Sequence, residues 1–494
     1  MSTRNWLKLG LVLVLGMAFF SVSNSSAEVQ AVNSVRAVDI SVGGETHRGY
    51  GCVILLSHEV LCWGDNAPIR GIVPGINDAV GIAAGVGHTC VALRTKTVKC
   101  WGSNGNGQLG NGTQNSSTTP VTVIGVGGNG VLSNIVEVAA SAKYDFTCAL
   151  SSAGNVMCWG FNSHGGIGNP SVSMYSSTDT PVNVIELSTS NPLTDVKTIA
   201  VGSYATCAVK VSGAAFCWGD NGLGQLGNPT VGSSNAAVPV LGVGGTGNLT
   251  DASQVSLGDA MGCARRSNGT VACWGMNQVG DGTGNGSSSP SAVIGVSNAI
   301  QVTTAQENAC VLLATGEVKC WGNWNGNSGS GASQQVFSST NSPSGAALLT
   351  NARQLATGGG WPQKYCAILN DDTVRCWGAN DSGSLGVDSG AVQYSNVPVE
   401  PQLSFTMGPV TTTSTTTSTT TTSTTTSVPA AIPTTATTVP TTVVAPVVTN
   451  VGNGASTNVG STTIPQGQKS VPRVAQTVPT AASTTVPVAT ESLE

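Results

Sequence analysis

All fourteen cysteines of the 494-residue chain fall into seven pairs, and the two members of each pair lie ten residues apart in sequence. In every pair the second Cys is followed by Trp-Gly. The spacers between these units vary in length, which is typical of a repeat array whose units are single supersecondary elements with loop insertions. The pairs are Cys52 with Cys62, Cys90 with Cys100, Cys148 with Cys158, Cys207 with Cys217, Cys263 with Cys273, Cys310 with Cys320 and Cys366 with Cys376. The tryptophans that follow them are Trp63, Trp101, Trp159, Trp218, Trp274, Trp321 and Trp377.

Each Cys-to-Cys segment has the pattern of a β-hairpin. Between Cys148 and Cys158, two short apolar stretches flank a turn that contains Gly154 and Asn155. Both residue types adopt positive φ readily. The two cysteines are equidistant from Ala153, so we expect them to oppose each other across the strands, where a disulfide can form.

The cysteines have two interpretations, metal ligands or disulfides. Zinc sites favour close pairs such as C-x2-C with His in reach, whereas this chain has no C-x2-C and only four His. Paired cysteines with none left over are typical of disulfides formed in an oxidising compartment. We therefore predict seven disulfides, one within each hairpin, and neither a metal site nor a cofactor.

Three further segments complete each unit. A glycine-rich segment follows Trp-Gly, as in Gly-Gln-Leu-Gly at residues 107–110 and again at 224–227. A strand that begins with Pro comes next, as at residues 120–124, and another apolar strand precedes the first Cys, as at 199–202. Four short strands per unit make one blade of a β-propeller.

The segment from Gly87 to Gly110 resembles the repeat of the regulator of chromosome condensation family. It reads Gly-His-Thr-Cys-Val-Ala-Leu, then Cys-Trp-Gly, then Gly-Gln-Leu-Gly. Seven copies across residues 33–408 imply an all-β fold, a seven-bladed β-propeller. The resemblance also implies that the segment around Val392–Phe405 pairs with the N-terminal blade to close the ring, which protects sheet edges.

The founder of that family is a nuclear protein that exchanges nucleotide on a small GTPase. No exchange-site residue can be matched to this sequence, and an exported chain would not meet that partner. Fold alone does not carry function, so nucleotide exchange is disfavoured. Secreted bacterial relatives that cap an enzyme with one propeller face are a nearer analogy.

The N-terminal residues have the pattern of a secretory signal. Arg4 and Lys8 precede an apolar run from Leu9 to Phe20, and Ser25-Ser26-Ala27 supplies a small-residue cleavage site. A membrane anchor is the alternative, but a span needs roughly 20 apolar residues. We predict a signal peptide at residues 1–27, the propeller at 28–408, and no stable membrane insertion after cleavage.

The C-terminal residues differ in composition from the repeats. Every residue from Thr411 to Ser427 is Thr or Ser, and the rest of the chain mixes Thr, Val, Pro, Ala and Ser. Such a segment buries too little apolar surface to offset its ordering entropy. We predict a disordered tail at residues 409–494, either a wall-spanning stalk or a solubilising extension.

The charge composition limits the classes of partner that this chain is expected to bind. Charged residues make up 9% of the chain, the formal net charge is −5, and no basic cluster stands out. Nucleic acids and anionic membrane surfaces are therefore not expected partners. Secretion or a cell-surface or wall location follows from the signal peptide and disulfides, and we expect a monomer.

Few side chains stand out as functional candidates. The seven repeat tryptophans are expected to pack between blades, with an aromatic sugar-binding surface as the alternative. Trp324 and Trp361 lie outside the repeat position and are candidate binding anchors. His88 is expected to be structural and His164 to be solvated. No catalytic constellation or phosphate loop is present, so we do not expect an enzyme.

Three functions remain in order of preference. The first is a binding or scaffold propeller whose partner is an extracellular protein, recognised by loops at residues 113–134, 170–195, 229–250 and 323–350. The second is a carbohydrate or cell-wall binding protein whose ligand is a wall polysaccharide. The third, a hydrolase or lyase, would need perturbed carboxylates in the central channel.

Overall fold

The structure is a computed structural model. It describes residues 35–44, 49–65, 67–276, 278–322, 334–335, 349–358, 363–380 and 382–402. The predicted signal peptide, the predicted tail, Trp324 and Trp361 all lie outside these residues. The proposed domain boundaries at 27 and 408 therefore stay predictions.

Seven four-stranded antiparallel sheets make up the described part of the chain. Blade 1 consists of β1 Ala37–Gly43, β2 Tyr50–Leu55, β3 Val60–Trp63 and β4 Gly71–Ile72, and blade 2 of β5 Ala79–Ala84, β6 His88–Leu93, β7 Val98–Gly102 and β8 Ser117–Thr122. Blade 3 consists of β9 Ile135–Ala140, β10 Phe146–Ser151, β11 Val156–Phe161 and β12 Ser177–Asn183, and blade 4 of β13 Val196–Val201, β14 Ala205–Lys210, β15 Ala215–Gly219 and β16 Ser234–Pro239. Blade 5 consists of β17 Ala252–Leu257, β18 Met261–Arg266, β19 Val271–Gly275 and β20 Ser287–Ala292, and blade 6 of β21 Ala299–Thr304, β22 Asn308–Leu313, β23 Val318–Gly322 and β24 Gln334–Gln335. Blade 7 consists of β25 Ala352–Gly358, β26 Lys364–Leu369, β27 Val374–Ala379 and β28 Tyr394–Val399.

The predicted fold, a seven-bladed β-propeller, is confirmed. Within each blade the strands follow one another in sequence order, and the first strand of each blade lines a central channel. Two short 3-10 turns, Val126–Gly128 and Ser163–Gly165, are the sole helical segments among the described residues. None of the described residues forms a helix with the length and apolarity that a bilayer crossing requires.

The predicted mode of ring closure is wrong. The segment 394–399 does not join the N-terminal blade; it forms β28, the outer strand of blade 7, and pairs with β27. Closure instead uses contacts between complete blades. Ala37 N donates to Asp372 O at 2.9 Å, and Asp65 N donates to Ser382 O at 2.8 Å. Each blade is contiguous in sequence because its four strands come from one repeat.

The predicted hairpins and their disulfides are present in every blade. In blade 3, Cys148 is the register partner of Cys158, and their Cα atoms lie 4.1 Å apart. The other six disulfides follow the same pattern and join Cys52 to Cys62, Cys90 to Cys100, Cys207 to Cys217, Cys263 to Cys273, Cys310 to Cys320 and Cys366 to Cys376. No cysteine among the described residues is free. The predicted pairing and the observed pairing therefore agree in all seven hairpins.

A glycine follows each repeat Trp for a conformational reason. The chain turns at this position with positive φ, as at Gly160 (φ 105°). A Cβ atom at Gly160 would also lie 2.2 Å from Asp145 O. Glycine adopts such a conformation without steric cost, so the Trp-Gly pair marks the end of the third strand in each blade.

The loops emerge on two faces of the ring. One face carries the connections from the first to the second strand and from the third to the fourth strand of each blade; we call it the loop face. The hairpin face carries the disulfide-linked hairpin turns and the connections between successive blades. This division follows from the antiparallel order of the strands.

The predicted recognition segments do not each lie on one face. Residues 113–134 are divided by β8, so that 113–116 lie on the loop face and 123–134 on the hairpin face. β12 and β16 divide the segments 170–195 and 229–250 in the same way. Most of 323–350 lies outside the described residues. The outer strand of each blade was not recognised within these spacers, because its polar sequence resembles that of a loop.

Candidate binding face

The repeat tryptophans are buried at the junctions between blades. None of the seven is more than 4% exposed. Trp159 of blade 3, for example, lies in one apolar cluster with Cys90, Cys100 and Leu109 of blade 2. The structure thus places these rings between blades, where the sequence analysis expected them to pack.

Four of these indole N–H groups also donate a hydrogen bond to the preceding blade. The acceptors are carbonyl oxygens in the glycine-rich segment that links the third and fourth strands. The four bonds are Trp63 to Ser384 O at 2.9 Å, Trp159 to Gln108 O at 2.9 Å, Trp218 to Gly166 O at 2.9 Å, and Trp274 to Gln225 O at 2.7 Å. The glycine-rich segment of one blade therefore receives the tryptophan of the next.

One Asn side chain holds each of these segments in shape. In blade 2 the Asn104 Nδ2 atom donates to Thr113 O at 2.8 Å and to Asn115 O at 3.0 Å, while its Oδ1 accepts from Leu109 N at 2.9 Å. Asn162, Asn221 and Asn380 make the equivalent contacts in blades 3, 4 and 7. The sequence signal is Asn three positions after the repeat Trp, which the sequence analysis did not use.

The channel wall is linked around the ring by side chains at one position of the first strands. Gln301 Oε1 accepts from Leu355 N of the next blade at 2.7 Å. Gln354 Nε2 then donates to Asp39 Oδ1 of blade 1 at 2.6 Å. Asp39 Oδ2 accepts from Ile82 N at 3.2 Å. These contacts join neighbouring blades at their innermost strands.

The channel contains two carboxyl groups whose pKa is raised by burial, Asp39 and Glu137. The pKa of Glu137 rises to about 7, although hydrogen bonds from Ile199 N and Thr198 oppose the shift. Neither carboxyl group was predicted from the sequence. The missed signal is a polar residue at the third position of the first strand, where Asp39 and Glu137 correspond to Gln254, Gln301 and Gln354.

On the loop face, five ring side chains from blades 3 and 4 form an aromatic cluster: Tyr144, Phe161, His164, Tyr175 and Tyr204. His164 lies at its centre, with ring centroids 5.1 Å from Tyr175 and 5.5 Å from Tyr204. Tyr144 lies 5.0 Å from Tyr204. Tyr175 is 62% exposed. His164, which was expected to be solvated, is half-buried, and its ring contacts three tyrosines.

A charged pair lies beside this cluster. Lys143 Nζ is 3.1 Å from Asp259 Oδ2 and 4.7 Å from the centre of the Tyr204 ring. Lys143 belongs to blade 3 and Asp259 to blade 5. The pair therefore reaches across the inner loop of blade 4, where inner loop means the connection from the first to the second strand of a blade. Burial raises the pKa of the Asp259 carboxyl; Lys143 opposes this rise and the nearby Glu307 adds to it.

Two acceptor atoms near this pair have no hydrogen-bond partner among the described residues. They are Asp259 Oδ1 and Gln306 Oε1. The inner loops that carry them are adjacent, since Ala260 N donates to Gln306 O at 3.2 Å. The Asp259 side chain is 6% exposed. An unpaired buried acceptor is costly, so this part of the loop face is suited to a ligand that brings donors.

The remaining candidates lie apart from this cluster. His88 is fully buried, and its Nε2 lies 2.8 Å from Thr147 Oγ1 of blade 3. Burial lowers the pKa of His88 to about 4, so the ring is neutral. Trp324 and Trp361 lie outside the described residues. Within the described ranges, no group of three or more His, Cys, Asp or Glu side chains is placed to hold a metal ion.

Comparison with known families identifies the repeat. A model of the "Regulator of chromosome condensation (RCC1) repeat" matches residues 79–108 and 196–225, and a second model of the same repeat matches residues 98–150. The chain is an RCC1-repeat protein. The matched residues cover blade 2, the first two strands of blade 3, and the first three strands of blade 4 with the start of its glycine-rich segment.

Curated relatives of this RCC1-repeat propeller are much longer proteins. It is 28% identical to the human E3 ubiquitin-protein ligase HERC2 over 192 residues, which are 38% of this chain and 4% of HERC2. It is 30% identical to the human probable E3 ubiquitin-protein ligase HERC6 over 262 residues, 49% of this chain and 23% of HERC6. The propeller thus spans less than a quarter of the length of either relative.

Among solved structures, the RCC1-repeat propeller is similar to Prp20p from Saccharomyces cerevisiae. The TM-score is 0.52 at 19% sequence identity, and the match covers 75% of this chain and 88% of Prp20p. At this identity the likeness shows the shared fold alone.

Proposed function

We propose that this RCC1-repeat propeller is an extracellular binding module that holds a protein partner on its loop face. The observation that carries the proposal is the aromatic cluster, in which His164 contacts both the exposed Tyr175 and Tyr204. Binding hot spots are enriched in tyrosine held on a rigid support. Here the support is a ring in which a disulfide joins the two hairpin strands of every blade.

The extracellular location is supported by the cysteines. Seven disulfides use all fourteen cysteines of the chain. Disulfides persist in oxidising compartments and are rare where glutathione keeps thiols reduced. The predicted signal peptide at residues 1–27 agrees with export.

A protein is favoured as the partner class by the shared fold. The structure of Prp20p was described together with the binding properties of that protein to Gsp1p and histones. A propeller face is large enough for such contacts, since a specific interface buries about 800 Å² on each side.

The proposed role is binding and not catalysis. The two perturbed channel carboxylates act as acceptors for backbone N–H groups of the next blade. Asp39 accepts from Ile82, and Glu137 accepts from Ile199 at 3.4 Å. Side chains engaged in this way support the ring.

Photo-crosslinking tests the proposal. A photoreactive amino acid is placed at position 175 on the loop face and, as the control, at Val211 on the hairpin face, which is 70% exposed. The full chain is then secreted and irradiated in its native culture medium. Crosslinks to one defined protein from position 175 and not from position 211 are expected, and a Tyr204→Ala change should weaken binding of the purified partner at least tenfold.

A wall polysaccharide is the second candidate, since sugar rings also stack on exposed tyrosines such as Tyr175. The crosslinking protein and a Tyr175→Ala variant together decide between the two. Retention on isolated wall polysaccharide that Tyr175→Ala abolishes, with no protein crosslink at position 175, would replace the first proposal by the second.

A further inference from the structure

We propose that the loop face recognises a cationic protein segment, whose arginine side chain binds between the aromatic cluster and Asp259. This inference rests on the proposed function and adds the chemistry of the partner. Three independent features of the described residues support it.

The first feature is the distribution of charge. The described loops of the loop face contain seven carboxylates and two cations, and both cations are paired within the face. One further cation, the buried Lys364, begins β26 at the same edge of the ring. Arg70 lies 3.1 Å from Asp65, and Lys143 lies 3.1 Å from Asp259. The seven carboxylates are Asp65, Asp145, Asp220, Asp259, Asp281, Glu307 and Asp388.

Most cations lie at the opposite end of the strands. The Lys and Arg residues at or near the hairpin face are Arg36, Arg94, Lys96, Lys99, Lys197, Lys210, Arg265, Arg266, Lys319, Arg353 and Arg375. The loop face is therefore the acidic side of the ring. A partner with the complementary charge is steered to this side.

The second feature is that the site already holds a cation of the chain itself. The Lys143 ammonium is close to a carboxylate and over an aromatic ring, 4.7 Å from the Tyr204 centroid. Aromatic faces attract cations through their quadrupole, and arginine makes such contacts more often than lysine. Lys143 thus demonstrates the chemistry that the cluster accommodates.

The third feature is the pair of unpartnered acceptors. Lys143 contacts Asp259 Oδ2, which leaves Oδ1 without a partner among the described residues. Gln306 Oε1, on the adjacent inner loop, also has no hydrogen-bond partner among them. Both atoms can only accept hydrogen bonds. A guanidinium carries five donors and no acceptor, so it matches acceptors that lack donors.

Fluorescence anisotropy of a labelled peptide tests this assignment on the full secreted chain. The probe is a nine-residue alternating Gly-Arg peptide, and a Gly-Glu peptide of the same length is its negative counterpart. We expect the Gly-Arg peptide to bind at low salt and the Gly-Glu peptide not to bind. Asp259→Asn should weaken binding at least tenfold.

Two further variants guard against misfolding and nonspecific attraction. Asp195→Asn makes the same charge change at an exposed site on the hairpin face and should leave the affinity unchanged. Lys143→Met removes the competing cation and should tighten binding several-fold, an effect that a damaged ring would not produce.

Equal affinity of the Gly-Arg peptide for the wild type, Asp259→Asn and Asp195→Asn would overturn the inference, because it would show nonspecific attraction. Absence of binding to the wild type would overturn it as well. If the crosslinked partner still requires Tyr204 and tolerates Asp259→Asn, the proposed function stands and the cationic segment is rejected.

Discussion

Trp63 Nε1 in blade 1 donates a hydrogen bond to Ser384 O in blade 7 at 2.9 Å, although 321 residues separate them in sequence. The contact repeats the one that joins blade 2 to blade 3, where Trp159 donates to Gln108 O. The ring therefore closes with the same tryptophan contact that joins blades 2 to 5. Among the described residues, no strand from one end of the chain joins the sheet at the other end.

This contact predicts a measurable loss of stability. Trp63→Phe keeps an aromatic ring and removes the N–H donor, which leaves the Ser384 carbonyl unpaired. We expect the free energy of unfolding, measured by urea denaturation, to fall by about 1–2 kcal/mol beyond the packing loss. Trp101→Phe is the matched control, because the Trp101 Nε1 has no hydrogen-bond partner among the described residues. Equal losses for the two variants would contradict the role of the contact.

A glycine that packs against a repeat tryptophan should not tolerate a side chain. Gly168 has φ 73°, and a Cβ atom there would lie 2.6 Å from Trp218 Nε1. We expect Gly168→Ala to lower the free energy of unfolding by at least about 2 kcal/mol through backbone strain and overpacking. Gly232→Ala is the control, since its Cβ would meet no atom within 4 Å. A Gly168→Ala protein that melts with the wild type would refute this account.

Glu137 should make the ring more stable in mild acid. Its folded pKa of about 7 exceeds the ordinary value of 4.5, so the folded state binds more protons than the unfolded state between these values. Its contribution to stability is present below pH 4.5 and is lost as the pH rises through 7, on the order of 2–3 kcal/mol in total. We expect the stability of wild type minus that of Glu137→Gln to decline over this window. A difference independent of pH would exclude the effect.

His88 should act in the opposite direction. Burial lowers its folded pKa from 6.5 to about 4, so the unfolded state binds more protons between these values. Stability should therefore fall as the pH drops from 6.5 towards 4, by an amount on the order of 2–3 kcal/mol. His88→Met, which copies Met261 at the equivalent position of blade 5, should remove this acid sensitivity in thermal melts. Unchanged acid sensitivity in the variant would rule His88 out as its source.

The hairpins and the blade number were accessible from the sequence because they depend on short-range pattern. Cys148 and Cys158 oppose each other once a turn forms midway between them, so their spacing predicts the position of that turn. The outer strands were harder to delimit. β8 consists of Ser, Thr, Pro and Val and is partly exposed, so its sequence is that of a loop until a neighbouring strand pairs with it.

The amino-acid sequence alone determined the repeat, the paired cysteines and the all-β architecture, because each follows from residues within one unit. The binding face depended on packing between units. Lys143 meets Asp259 across 116 residues, and His164 enters the aromatic cluster because blade 3 packs against blade 4. Such contacts arise where the ring brings different repeats together. A periodicity shared by all repeats cannot indicate which tyrosine, histidine or charged side chains will meet on the loop face.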